Sequence, residues 1–198
     1  MTFSFPSTVS MPATPENAAP RQDEDILAPL IFFYGIGSTR PRVTFVQPEE
    51  LAEQERALLV HDMDMTPRLR AHHSCLIDLD VAARARIGNY YVRASVLHRR
   101  SDGKPVEFGA IGIHLDLLPE EAQKLVLEGK VPFGAILEQF SVPHSSHPRG
   151  YFRVSVDSRL ADLLGATSGQ MLYGRCNELR HGSGRVLADV VEVLPRMA

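Results

Sequence analysis

Cysteine is nearly absent: Cys75 and Cys176 lie far apart in the chain and neither belongs to a CxxC pair. That leaves no zinc-binding or thiol-redox motif, and both thiols read as small buried side chains in strands. No apolar run approaches the roughly 20 residues of a membrane span. Nor does the N-terminus carry a basic segment followed by an apolar core, as a secretory signal would, so a cytoplasmic protein is expected. Neither sign of charge dominates. With 21 Lys and Arg against 24 Asp and Glu, the formal net charge is -3, which gives no basic field for nucleic acid. Any anion must be held by local arginines.

What is present suits one soluble globular unit. The 198 residues are 44% hydrophobic and 23% charged, enough to bury a core. Residues 1-25 are different, with Pro6, Pro12, Pro15 and Pro20 among Ser, Thr and Ala; they are expected to form a disordered tail, too short and proline-rich for a winged helix. The domain is then 26-198.

Local patterns divide that domain into strands and helices. Ile31 to Tyr34 and Val43 to Val46 fit two short extended segments joined by a turn, with a helical start over Leu27 to Tyr34 as the alternative. A helix is expected from Pro48 or Glu49 to Val60. Thr66 before Pro67 reads as a helix N-cap. Strands follow over Leu76–Arg86, Asn89–Arg99 and Pro105–Leu117, the last reached through Ser101-Asp102-Gly103-Lys104. Pro119 to Glu128, with Gly129 at C′, and Pro132 or Phe133 to Phe140 read as helices. Tyr151–Val156 is a strand, Ser158–Leu164 a helix, and Met171–Leu179 with Arg185–Leu194 a closing hairpin. Strands interrupted by helices without strict βαβ alternation predict an α+β fold: a single domain with an antiparallel β-sheet and helices packed on it.

Several residues stand out against this pattern. Arg93 shares a strand face with Tyr91, Ser95 and Leu97, where a planar guanidinium would grip a carboxylate in a bidentate way; the plainer reading is a surface arginine. Glu192 has the parity of Val186, Ala188, Val190 and Leu194, so its carboxyl projects from an apolar face and must be paired or hold a proton, unless the strand lies at an edge and the side chain reaches solvent. Asp189, on the opposite parity, competes for the same role. Gly109 inside a strand marks a bulge or the close approach of a ligand. Gly134 opens a helix whose N–H groups suit an anion. His144 and His147, bracketed by Pro143 and Pro148, read as loop histidines with no carboxylate or cysteine at metal-ligand spacing.

The order of these fragments carries more than any one of them. Asp62-Met63-Asp64-Met65-Thr66, Tyr91-Val92-Arg93, Asp102-Gly103-Lys104-Pro105 with Gly109, Pro132-Phe133-Gly134, Tyr173-Gly174-Arg175 and Ser183-Gly184-Arg185 precede Glu192. In this order they resemble the chorismate lyase family over roughly Leu58 to Pro195. That resemblance implies removal of pyruvate from chorismate to leave 4-hydroxybenzoate, a precursor for a quinone such as ubiquinone or for another phenolic metabolite. It further implies that Arg93 clamps the ring carboxylate, Arg175 the enolpyruvyl carboxylate, and Glu192 contacts the ring hydroxyl and handles the proton. Met65, Thr66, Gly109 and Phe133 would shape an enclosed pocket, with no metal or organic cofactor. Effector-binding domains of bacterial transcription regulators share the fold, and Asp102 to Pro105 and Leu164-Gly165 resemble their motifs; a non-catalytic domain that binds an aromatic carboxylate is therefore the alternative. Phe133 stands where the lyases usually have leucine, and residues 31-46 have no clear counterpart among them.

Overall fold

A computed structural model describes residues 26–35 and 39–196. The expected tail, residues 1–25, lies outside the described residues, as does part of the turn expected near Gly37. The body is a seven-stranded sheet in the order β1-β5-β6-β7-β4-β3-β2, antiparallel at every junction. The strands are β1 (Val43–Val46), β2 (Ile77–Ile87), β3 (Tyr90–Arg99), β4 (Pro105–His114), β5 (His144–Ser155), β6 (Met171–His181) and β7 (Val186–Leu194). Six α-helices accompany them among the described residues: α1 (Ala28–Tyr34), α2 (Glu53–Leu59), α3 (Met65–His73), α4 (Glu120–Glu128), α5 (Phe133–Gln139) and α6 (Ser158–Leu164). The expected single-domain α+β architecture is therefore the one observed. No helix among the described residues is long and apolar enough to cross a membrane.

The helices cover both faces of the sheet. On one face, Leu30 and Tyr34 of α1 and Leu160 and Leu164 of α6 pack onto Ala94, Val96, Phe108, Ala110, Phe152, Val154, Val191 and Val193. Gly174 is required here, because a Cβ at that position would run into the Glu192 carbonyl oxygen and the Phe152 ring. The second face carries two apolar clusters. Met65 and Leu69 of α3 and Leu58 and Leu59 of α2 meet Leu79 and Leu97, whereas Val126 of α4 and Phe133, Ile136 and Leu137 of α5 meet Ile111, Ile113 and Val190.

Four local expectations change. Ile31 to Tyr34 is helical rather than extended: Pro29 sits in the first turn, Gly35 with φ 82 accepts the chain at the C-terminus, and Leu30 and Tyr34, one turn apart, share the buried side. A short apolar run does not distinguish strand from helix by periodicity, and here the caps decide. The long helix expected from Pro48 divides into a 3-10 turn, Pro48–Glu50, and α2, broken where Leu51 and Ala52 are extended. α3 begins before the expected cap: Asp64 holds the N-cap position, and Thr66 is buried inside the first turn. Finally, β5 starts at His144 rather than Tyr151, so His144 and His147 belong to a strand, while Cys75 lies in the turn before β2. Cys176 is in β6 and buried, as expected of it.

Candidate functional site

One rung of the second face crosses the whole sheet. Cα pairing runs from Val46 through Tyr151, Arg175, Glu192, Gly109 and Ser95 to Val81. The neighbouring rung places Arg93 beside Ile111, then Val190 and Asn177. Because side chains two apart on a strand point the same way, these rungs project one set of polar groups into the seam between the two helix-covered clusters. A cavity of about 60 Å³ lies in that seam, walled by Met65, Thr66, Arg93, Ser95, Glu107, Gly109, Phe133, Gly134, Asn177 and Glu192 among others.

Arg93 is 1% exposed, yet no carboxylate pairs with it among the described residues. Its Nη1 and Nη2 reach only the Val126 and Val131 carbonyls, both at 3.4 Å, and its Nε has no partner. Burial lowers its pKa to about 10, slightly offset by Tyr91, so it keeps its charge at neutral pH. A buried cation without a counter-charge is expensive, and an anion in the cavity would remove that cost.

Arg175 is the opposite case. It is fully buried, donates from Nε to Glu192, and spends Nη1 and Nη2 on the carbonyls of Leu59 (3.2 Å), His61 (3.0 Å) and Met63 (3.2 Å). Burial opposes its charge, but the charge and hydrogen bond of Glu192, with a smaller effect from Glu107, outweigh that and raise its pKa. Burial, and then the charge of Arg175, lowers the pKa of the adjacent His61 to about 4. Arg175 does not line the cavity; it ties the segment after α2 to the sheet and so positions Met65 and Thr66.

Of the residues singled out from sequence, Arg93, Glu192, Met65, Thr66, Gly109 and Phe133 thus converge on one cavity, and Arg175 stands behind Glu192. Asp189 has the parity of Val191 and Val193, on the opposite face, and lies outside the cavity wall. Gly134 serves contact between helices: a Cβ there would press on Thr66, at 3.2 Å from Oγ1. Phe133 is 6% exposed and packs with the second cluster while closing the cavity.

The sequence reading missed Glu107, Ser95 and Asn177 as members of the wall. Glu107 is buried in β4, and burial and then the charge of Glu192 push its carboxyl well above the usual range, with Arg175 offsetting only part. The signal that drew attention to Glu192 was available here too, since Glu107 shares parity with Gly109, Ile111 and Ile113. At the cavity's edge, Asp64 accepts from His144 Nε2 at 3.0 Å, and both also border an outer groove with Asp62, Ser146 and His147. Among the described residues, no three His, Cys, Asp or Glu side chains form a group suited to a metal ion.

No protein-family model and no curated protein matches the chain. Solved structures do. PhnF from Mycobacterium smegmatis superposes with a TM-score of 0.55 at 12% identity, covering 70% of this chain and 67% of that one. The effector domain of the same protein gives 0.52 at 12% identity, covering 67% of this chain and 88% of that one. A GntR-family transcriptional regulator from Bacillus cereus gives a lower TM-score, 0.44, at 10% identity, over 60% of this chain and 91% of that one. At such identities the likeness establishes the fold alone: the chain has the architecture of a regulator's effector domain.

Proposed function

We propose that this chain is a small-molecule-binding domain whose ligand is a ring carboxylate, with the carboxylate held by Arg93. The observation that carries this reading is the Arg93 guanidinium, buried at the cavity wall with two long carbonyl contacts and no counter-charge among the described residues. Its fork geometry matches a carboxylate, and the apolar walls formed by Met65, Leu97, Ile111 and Phe133 suit the faces of a ring. The PhnF effector domain, similar in fold, supports a sensor role over catalysis.

A second reading, lyase action on chorismate, is favoured by one feature: Glu192 and the high-pKa Glu107 border the same cavity, where an acid could manage a ring proton. In that reading Arg93 and Glu192 would be the catalytic pair, and Met65, Thr66, Gly109 and Phe133 the walls, with Arg175 orienting Glu192.

Calorimetric titration with benzoate and 4-hydroxybenzoate, beside incubation with chorismate while pyruvate is followed, separates the two. Saturable benzoate binding that falls at least tenfold in Arg93→Met, without pyruvate release, is expected. Binding that persists undiminished in Arg93→Met would remove the carboxylate site. Pyruvate release that stops in Glu192→Gln would make the lyase the better account.

A further inference from the structure

The inner cavity, about 60 Å³, and the outer groove, about 640 Å³, share one lining residue among the described residues, Asp64. The inner space is far below the roughly 300 Å³ of small-ligand sites, so entry of a ligand requires a wall to move. Asp64 holds the N-cap position of α3 with φ -67 and ψ 142, the posture of a capping aspartate, yet its side chain makes no cap hydrogen bond. It turns to β5 instead, where its two oxygens stand 3.1 and 3.0 Å from His144 Nε2. The other ring nitrogen, Nδ1, lies 2.8 Å from the Val142 carbonyl, an acceptor, so Nδ1 carries the proton of a neutral ring. Nε2 of that neutral ring would present a lone pair to a carboxylate. Only the imidazolium satisfies both partners.

We propose that Asp64 and His144 form a proton-operated latch between the inner cavity and the outer groove, closed while His144 is an imidazolium and open when the neutral ring releases Asp64. The released carboxylate has a new partner in its own helix, the Thr66 N–H; Pro67, next in the first turn, has none to offer. The preceding backbone stays in place, because Arg175 holds the His61 and Met63 carbonyls at 3.0 and 3.2 Å and keeps its charge at all relevant pH. Other ionisable groups lie on the elements around the ring. His181 of β6 is the Cα partner of His144 and bonds Ser183. Asp62, His147 and Arg149 line the groove, and His61, lowered to about 4 by burial and Arg175, is neutral above pH 5. From α3 and α5, Arg68 bonds the Ala57 carbonyl, and Arg70 pairs with Glu138. Among the described residues Asp64 is the partner of His144 Nε2, and its hydrogen bond moves the release above pH 6.5. The latch goes beyond the carboxylate-binding reading and does not depend on which ligand the cavity takes.

The test counts openings of the cavity. Ser95 lines it and is 4% exposed, so Ser95→Cys in a Cys75→Ser background is a buried thiol reporter on the full chain, and the Cys75→Ser parent gives the background from buried Cys176. Its reaction with methyl methanethiosulfonate is followed from pH 5.5 to 8.5, with and without His144→Leu; the ratio of the two rates at each pH cancels the ionisation of the thiol. His144→Leu is expected to react faster by roughly two- to fivefold at pH 5.5, the size such an ion pair supplies, and equally fast at pH 8.5. Asp64→Asn, whose amide donates to the neutral ring and accepts from the imidazolium, should stay slow throughout relative to His144→Leu. A ratio near one at pH 5.5, a ratio constant with pH, or an Asp64→Asn reporter that keeps the wild-type pH dependence overturns the latch. Nitrogen NMR of the otherwise unaltered chain, with the His144 signals assigned by their loss in His144→Leu, needs no reporter: Nδ1 should stay protonated while Nε2 loses its proton above pH 6.5. A neutral His144 protonated on Nε2 overturns the proposal.

Discussion

Along β4 the even-numbered Phe108 and Ala110 pack in an apolar cluster with α1, α6 and the adjoining strands, whereas the odd-numbered Glu107 and Gly109 face a cavity shared with Arg93 and Glu192. Both sides of the strand are buried. The first side is an ordinary core, in which area removed from water supplies the stability. The second buries Arg93, Glu107, Arg175 and Glu192, each 4% exposed or less, in a region that could have been filled by leucine and valine. Buried charges seldom improve stability over well-packed apolar residues. Their gathering around the cavity in the seam between the helix-covered clusters separates a binding face from a supporting one, on which Glu178, with the parity of Cys176, is buried beside Arg180.

Breaking each face should expose that difference. Phe108→Ala and Arg175→Met are both expected to lose about 3–5 kcal/mol in urea unfolding, the first by leaving a cavity, the second by leaving the buried Glu192 carboxylate without its cation. Only the second is reparable: adding Glu192→Leu to Arg175→Met should recover at least half of the loss, because the unpaired charge goes too. No recovery would mean that the carbonyl bonds to Leu59, His61 and Met63, rather than the ion pair, hold the structure.

A smaller effect of opposite sign is expected at Arg93. Its two carbonyl contacts are long and it lacks a counter-charge, so Arg93→Met should leave the unfolding free energy unchanged or raise it by about 1 kcal/mol. A loss above about 2 kcal/mol would place Arg93 with the structural charges instead of the binding ones.

How much of this could be read from sequence follows the same division. Alternation along β3 and β7 put Arg93 and Glu192 on definite faces, and the sheet keeps those faces; the antiparallel strands and α4 to α6 were legible from turn residues and caps. Glu107 was not, because its own strand was read for Gly109 alone. The surroundings of Arg175 were not legible for a different reason: a guanidinium's partners depend on which carbonyls lie near it, and Leu59, His61 and Met63 are more than a hundred residues away in the chain. α1 was only the alternative to a strand, because its short apolar run fits both and the caps decide, and the early start of β5 was missed because Pro143 and Pro148 read as brackets of a loop. His144 became a strand residue with a carboxylate partner, Asp64, eighty residues earlier.

That pair gives the smallest expected effect and a last refinement of the comparison, since it stands at the mouth of the charged face rather than inside it. The hydrogen bond to Asp64 raises the His144 pKa above the usual 6.5; partial burial opposes this, and the Val142 carbonyl and the charge of Asp64 add to it. A raised folded-state pKa means that the protonated form is favoured by folding. The stabilisation is therefore fully present below pH 6.5, the unfolded value, and is lost as pH rises through the higher folded value. For a part-buried pair at the surface it should stay below about 1 kcal/mol and weaken with salt. Comparing wild type with His144→Gln by urea unfolding across pH 5.5 to 8.5 should show a gap that closes towards the alkaline end, on the order of a few tenths to 1 kcal/mol. A gap that widens with pH would show that neutral imidazole, donating to Asp64, is the form the fold uses at the cavity mouth.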